Sequence, residues 1–397
     1  MPELETSNPF NVEYPTGKFF VGREQQLLQL KELLTSLASG VPSNLYVEGK
    51  GGEGKTSYLD RIVEEARKRD MLAFRCNLDI GKAAEETIDT IIRALLRELE
   101  QRTHQEGIEA DWSSKEDSML FRSPRLQGIR SDDLALDFKK IHGMLNDVGI
   151  RSCVICIDEG QRIDSLALSA IKNSLQSVKL GYMIVLSLLI DEKNADAGRT
   201  GRDLLNDLAI RSGDPGASRF FQNASVIGPF DTQVEAEQCI SKRLENNKIK
   251  FSQSAIGLIA HIMGRHPRKM VILAHRAYEI TKRLGLAKVD EEIIDDAFRK
   301  EHVELVKETI EFKGTLSSLA IKTYVEFAKL DINVTAMEIT KRMFPELESE
   351  ALASISTTIQ SMLDKLAKKK FCKKLDSGSY RIPQPEFAYA LKLVLGG

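Results

Sequence analysis

Two short stretches carry residue types and spacings that could do chemistry. The first is Leu45–Ile62, LYVEGKGGEGKTSYLDRI, where Gly49, Gly51, Gly52 and Gly54 lead into Lys55, Thr56 and Ser57. Glycines so dense are locally destabilising, because each loses more backbone freedom on folding than another residue would. Gly49 to Thr56 fit G-x-x-x-x-G-K-[ST]. The flanks read as a buried strand, NLYVEG, and a helix with Leu59, Ile62, Val63 and Ala66 at helical spacing. A loop that wraps a triphosphate must turn its N–H groups inward and visit positive φ, which glycine does without a clash. The helix beginning near Gly54 would aim its unsatisfied N–H groups at the phosphates. Lys55 would reach the β- and γ-phosphates, and Thr56, with Ser57 beside it, would face a Mg²⁺ ion.

The second stretch is RSCVICIDEGQRID, Arg151–Asp164. Cys153 to Ile157 read as a central parallel strand. Asp158 and Glu159 would then stand at its carboxyl end, where open α/β sheets bind ligands. Asp158 is the expected acid on the metal side, and Glu159 the base that orients or deprotonates water. The ligands implied are ATP and Mg²⁺.

Further strands are expected within Met71–Asp79, Gly181–Ile190 and the stretch ASVIGPF from Ala224, separated by helical patterns; this is an α/β plan with a parallel sheet. Residues 101–131, which include the only tryptophan, Trp112, lack clean periodicity and are expected to interrupt the core as a mobile insertion.

Composition narrows the class. The 397 residues exceed one ordinary core. The chain is 42% hydrophobic and 29% charged with a net charge of −2, so any nucleic-acid surface must be local. No run of about 18 apolar residues suggests a membrane span, and the amino end lacks a secretory pattern. Cys153 and Cys156 form C-x-x-C inside the apolar run, where positions three apart face opposite sides of a strand, so buried reduced thiols are expected rather than a redox or metal pair. A cytoplasmic protein fits these features.

The motifs resemble AAA+ P-loop ATPases of the replication-initiator (origin-recognition) type and the related STAND signalling ATPases. Asn8–Phe10 (NPF) and FFVGREQQLLQL from Phe19 are similar to the box ahead of the phosphate loop that borders the adenine, which implicates Val21, Gly22 and Arg23. Arg23 could instead cap the helix that follows. Ser187 resembles sensor 1, a polar residue near the γ-phosphate, or is simply a small strand residue. SRFFQNASVIGPF resembles the initiator pattern in which Arg219 is the arginine finger; Arg211 and Arg202 are the other candidates. GRHPRKMVILAHRAYE resembles the sensor 2 segment, with Arg268 as its arginine, although Gly264-Arg-His-Pro-Arg departs from both families. DEGQ is also similar to the DEAQ of transposition-regulator ATPases.

From about Gly314 the pattern becomes three helices and a hairpin. Leu316, Leu319, Ala320, Tyr324 and Phe327 share one face, a second helix starts near Thr335, and Leu352, Ile355, Ile359, Met362 and Leu366 stripe a third. FCKKLDSGSYRIP then reads as a hairpin. This is the order of a winged helix. Lys368, Lys369, Lys370, Lys373 and Lys374, with Arg381 on the return strand, could meet DNA phosphates or form a solvated face of a protein-docking module. The expectation is therefore an AAA+ core over 1–230, a helical lid over 231–312 and a winged-helix domain over 313–397. Together they would make an ATP-dependent, homo-oligomeric switch that binds double-stranded DNA or recruits a partner, with a separate effector protein supplying any further chemistry. A STAND-like signalling ATPase is the alternative.

Overall fold

The computed structural model describes residues 7–10, 19–79, 81–105, 131–178, 181–303, 305–306, 322–324, 326–327, 334–368, 372–375, 377–381 and 385–395. They divide into two compact units, Tyr14–Gly228 and Met1–Glu13 with Pro229–Gly397.

The first unit alternates helices and strands: α1 (Glu24–Ala38), β1 (Leu45–Gly49), α2 (Lys55–Arg67), β2 (Leu72–Asn77), α3 (Ala84–Gln105), α4 (Ser131–Asp147), β3 (Cys153–Asp158), α5 (Ser165–Val178), β4 (Tyr182–Leu189), α6 (Gly201–Ser212) and β5 (Asn223–Val226). The five strands form one parallel sheet in the order β2-β3-β4-β1-β5. All five lie where the apolar runs place them. The expected insertion is shorter than its assigned limits: α3 runs to Gln105 and α4 begins at Ser131, while residues 106–130, with Trp112, lie outside the described residues.

Strand residues alternate between two cores. On one face Phe74, Ile155, Ile157, Leu186 and Leu188 pack with Leu95, Phe138 and Ile171 of α3, α4 and α5. On the other, Val47, Val154, Val185 and Met183 pack with Leu30, Leu34, Tyr58 and Ile62 of α1 and α2. Each such buried side chain contributes about 1.5–3 kcal/mol, so both faces of the sheet are held. Cys153 belongs to the first core and Cys156 to the second, and all five cysteines are buried thiols.

The register decides the site. Gly49 pairs with Leu189 and Val47 with Ser187, while Ile157 pairs with Leu186 and Asn77 with Asp158. Strand β4 therefore lies between β1, which feeds the glycine loop, and β3, which ends in Asp158.

The second unit contains α7 (Gln233–Ser241), β6 (Lys250–Phe251), α8 (Gln253–Ile262), α9 (Pro267–Arg283), β7 (Lys288–Val289), α10 (Glu291–Glu301), α11 (Ala336–Met343), α12 (Ser349–Lys368), a hairpin of β8 (Lys373–Lys374) and β9 (Tyr380–Arg381), and α13 (Pro385–Leu395). Thr232 and Thr335 start α7 and α11 with capping boxes, satisfying helix-end N–H groups from both directions. Val334 bridges Tyr380 antiparallel, adding a third short pairing to the hairpin. Tyr324, Phe327, Ile339, Ile359, Leu363, Tyr380 and Phe387 share one core.

The segment Asn8–Phe10 packs in this unit rather than with the core assigned to it from sequence. The Asn8 amide donates to Glu279 Oε1 at 2.7 Å, and Phe10 is fully buried beside Phe251 and Tyr278. Helix α13, which no sequence signal had marked, packs on α9 and α10: Lys269 pairs with Glu386, Tyr389 donates to Asp295, and Phe298 meets Tyr389 edge-on at 5.2 Å. Among the described residues no helix is long and apolar enough to cross a membrane.

Candidate active site

The glycine loop connects Gly49 at the end of β1 to Lys55 at the start of α2. Gly54, at the helix entry, has φ +99°, a conformation glycine adopts without strain. Gly49 is needed for a different reason. A Cβ there would lie 2.1 Å from the Ile227 carbonyl oxygen, so the loop presses against the end of β5.

Lys55 is buried, and its ammonium donates to the carbonyls of Gly49 at 2.8 Å and Lys50 at 2.9 Å. Burial pulls its pKa below the ordinary lysine range, against the opposing charges of Glu53, Glu159 and Asp158. Glu53 is buried too; its carboxylate accepts from the Lys50 N–H at 2.5 Å, and burial raises its pKa.

Thr56 and Asp158, separated by 102 positions, meet: the Thr56 hydroxyl donates to Asp158 Oδ2 at 2.8 Å. Spending the hydroxyl hydrogen on the carboxylate leaves the Thr56 lone pairs to face a cation. Hydroxyl and carboxylate oxygens are the hard donors Mg²⁺ prefers. Ser187 stands one residue beyond the Leu186–Ile157 pair, on the α2 side of the sheet and at the level of Asp158. It is 1% exposed, and its hydroxyl has no hydrogen-bond partner among the described residues. An orphaned buried hydroxyl costs about 1–3 kcal/mol. A phosphate oxygen at this face is the kind of partner it lacks, so the residues present fit a Mg²⁺-triphosphate.

Glu159 follows Asp158 in the left-handed region, with φ 54° and ψ 40°. Such backbone persists in a non-glycine residue only where its surroundings fix it. Its carboxylate accepts from Gln161 Nε2 at 2.6 Å and pairs with Arg162 at 3.5 Å.

Two further site residues escaped the sequence reading. Arg75 on β2 donates to Asp60 at 2.7 Å and Asn77 at 2.9 Å, and lies 3.4 Å from Asp158 Oδ2. The available signal was an arginine inside the apolar run LAFRCN. Gln161 was visible within DEGQ but was given no role.

The other expected site residues scatter. Val21 and Gly22 are half-buried ahead of α1. Arg23 is 5% exposed and its side chain does not cap α1; the guanidinium donates to the Glu53 carbonyl at 3.2 Å and to the carbonyl of Gly228. It braces the underside of the glycine loop against the last residue of the unit. Arg219 is exposed on a short 3-10 turn, Ser218–Phe220. Arg202, by contrast, is engaged internally: it donates to the Ser218 carbonyl at 2.7 Å and lies over the Tyr46 ring at 5.0 Å. Arg211 is exposed and donates to the Asp207 carbonyl of its own helix at 3.3 Å. Arg268 is exposed on the first turn of α9, in the second unit.

Of the basic cluster, Lys368 and Lys373 are exposed. Lys374 is exposed too, but its ammonium pairs with Asp364 at 2.7 Å and lies 5.6 Å from the centre of the Tyr380 ring. Lys369 and Lys370 lie outside the described residues, and Arg381 is placed only as part of β9.

Residues 20–186 match the AAA ATPase domain family. The chain is 24% identical over 307 residues to an uncharacterised HTH-type transcriptional regulator of Methanocaldococcus jannaschii, covering 73% of this chain and 71% of the relative. It is 26% identical over 303 residues to an ORC1-type DNA replication protein of Pyrococcus horikoshii, covering 74% of this chain and 65% of that relative, just under two thirds of its length. The structure of the Aeropyrum pernix ORC2 protein in ADPNP–ADP complexes shares the fold, with a TM-score of 0.51 at 13% identity over 99% of this chain and all of that one. The glycine loop on β1, the acid pair ending β3 and the intervening β4 all fall in or immediately beside the span that matches the AAA ATPase domain family.

Proposed function

We propose that the protein is an ATP-hydrolysing, oligomeric switch whose C-terminal module is a DNA-binding winged helix. The observation that carries the hydrolytic part is the Thr56–Asp158 hydrogen bond of 2.8 Å, with the unpartnered Ser187 hydroxyl level with it on β4. Thr56 and Asp158 would hold Mg²⁺, which would neutralise phosphate charge when bound. Lys55 leaves the loop carbonyls for the phosphates, and Glu159 orients or deprotonates the attacking water. Arg219, exposed next to the Ser218 carbonyl that holds Arg202, serves a neighbouring subunit's site.

The DNA part rests on the order of α11, α12 and hairpin, closed by the Val334–Tyr380 bridge, and on Lys368 and Lys373 at its exposed edge. Relatives named an HTH-type transcriptional regulator and an ORC1-type DNA replication protein support the same reading. A salt titration of duplex binding in the presence of ATP tests it. Each phosphate contact contributes about 0.9 to the slope of log K against log salt. Replacing Lys368 and Lys373 with glutamine should flatten the slope by about 2 and weaken binding to every duplex alike. No affinity of the wild-type protein at low salt, or an unchanged slope in the variant, would remove DNA from the reading and leave a protein-docking module.

A further inference from the structure

The acid pair is followed by Gly160 and Gln161, and neither belongs to the set of groups that would touch nucleotide, metal or water. The geometry nonetheless gives each a part. A Cβ on Gly160 would lie 2.3 Å from Leu186 Cδ1 and 2.7 Å from the Ser187 carbonyl oxygen. The turn Gly160–Arg162 is thus pressed onto β4, and only glycine permits that approach. At this distance the Gln161 side chain reaches across the turn in two directions. Its Oε1 accepts from the Leu189 N–H at 3.1 Å, and its Nε2 donates to Glu159 Oε2 at 2.6 Å. The two partners fix the amide's orientation: a backbone N–H can only meet the oxygen end, and a carboxylate only the nitrogen end. Leu189 is itself paired with Gly49, the first glycine of the phosphate loop.

We propose that Gln161 is a positioning residue for hydrolysis, which ties the Glu159 carboxylate to the end of β4, and that Gly160 is there to bring the turn close enough for that tie. The proposal rests on Glu159 being the group that handles water. It gives the four residues Asp158 to Gln161 one logic: an acid for the metal, an acid for water, a glycine for close approach and an amide that aims the second acid. It also makes β4 a shared reference. The strand that carries the Ser187 hydroxyl is the strand that Gln161 uses to place Glu159, so the water-handling carboxylate is registered to the phosphate-facing strand as well as to its own turn.

The test is a double-mutant cycle on the full chain, measuring steady-state ATP turnover and, separately, equilibrium ATP affinity. Gln161→Leu keeps the approximate bulk and removes both hydrogen bonds. Its kcat should fall about 10- to 100-fold, the scale of a misaimed catalytic group, while ATP affinity stays near wild type and the melting temperature falls by a few degrees at most for the Leu189 N–H left without its acceptor. Glu159→Gln should lower kcat at least as far. In the Glu159→Gln background, Gln161→Leu should lower kcat no further, because its effect passes through the missing carboxylate. A wild-type kcat in Gln161→Leu beside a slow Glu159→Gln overturns the positioning role alone. Additive losses in the double variant, or a fall in ATP affinity matching that in kcat, make Gln161 a structural residue and overturn it too. Full turnover in Glu159→Gln overturns both the positioning role and the assignment of Glu159 on which it rests.

Discussion

The glycines of the phosphate loop separate by mechanism, and the separation can be measured. At Gly49 an added methyl would meet the Ile227 carbonyl oxygen at 2.1 Å, with Glu53 Oε2 at 3.0 Å behind it. An ordinary carbon–oxygen contact is about 3.3 Å, so something must move by roughly 1.2 Å. The obstacle is backbone, and it is pinned: the Ile227 N–H donates to the Glu48 carbonyl at 2.8 Å and the side chain is buried. Yielding means peeling the end of β5 from β1. Overpacking of this kind costs about 1–3 kcal/mol, and a fixed obstacle argues for the upper half. In a unit of this size each kcal/mol lowers the melting temperature by about 2–4 °C, so Gly49→Ala should melt about 4–12 °C lower. Gly54→Ala meets no atom within 4 Å but is forced to φ +99°; left-handed strain of about 1–2 kcal/mol predicts a loss of about 2–8 °C. Gly51→Ala is the control. Its only neighbour within range is Leu189 Cδ1 at 4.0 Å, and its φ is not in the left-handed region, so its stability should match wild type within about a degree.

The assay is thermal unfolding without nucleotide, reading the transition that added ATP raises, since that transition belongs to the unit that binds it. Two units need not unfold as one, and the nucleotide response identifies the relevant step. If Gly49→Ala melts with wild type, or Gly51→Ala falls as far as Gly49→Ala, the loop does not press on β5 as described and the steric argument fails.

The remaining expectations concern the arginines and the loop that carries one of them. Arg219→Ala should leave the melting temperature unchanged yet flatten the rise of specific turnover with protein concentration; Arg202→Ala should do the reverse, losing about 1–2 kcal/mol from its carbonyl bond and its place over Tyr46. Equal kinetic effects of the two would mean that internal engagement is no guide to the finger. The segment leading to Arg219 is anchored by Asp214, whose carboxylate accepts from Lys172 at 2.8 Å, Ser169 at 2.8 Å and the Gly216 N–H at 3.0 Å. The Lys172 hydrogen bond chiefly holds the Asp214 pKa below its ordinary value, partial burial opposing. A depressed folded pKa means stability that is present above the unfolded value of about 3.9 and is lost as pH falls through the lower folded value. Asp214→Asn should therefore lower the melting temperature at pH 7 and shrink the acid-side drop below about pH 4, whereas parallel pH–stability curves for the two proteins would exclude the anchor.

Much of the core was legible in the sequence because its chemistry is local. The glycine loop is read from a spacing of eight residues, and the acid pair from its place at the end of an apolar run, CVICID. Continuous apolar runs located the five strands of the parallel sheet, and Thr335 announced its helix by its own side chain. What stayed hidden depends on partners remote in the chain. Arg75 reads as a stray charge until Asp158, 83 positions on, is brought beside it by strand pairing. Asn8 finds Glu279 across 271 positions, and α13 is tied to α9 and α10 by Lys269, Asp295 and Phe298.

The lysine cluster shows the same limit from the other side. Lys373 and Lys374 are chemically identical and adjacent, and a count of charges treats them as equal phosphate contacts. In the hairpin they point to opposite faces. Lys374 lies on the face of Asp364 and Tyr380, where Asp364 accepts both the ammonium and the tyrosine hydroxyl, each at 2.7 Å. Lys373 is left to solvent. Period-two geometry thus halves the charge that this strand can offer to a polyanion. A substitution at Lys374 also removes its exposed pair with Asp364, so a loss of DNA binding there would mix two effects. Lys373, exposed and without such a pair among the described residues, is the position where charge removal reports most directly on phosphate, once the relief of its cross-strand repulsion with Arg381 is measured by the melting temperature.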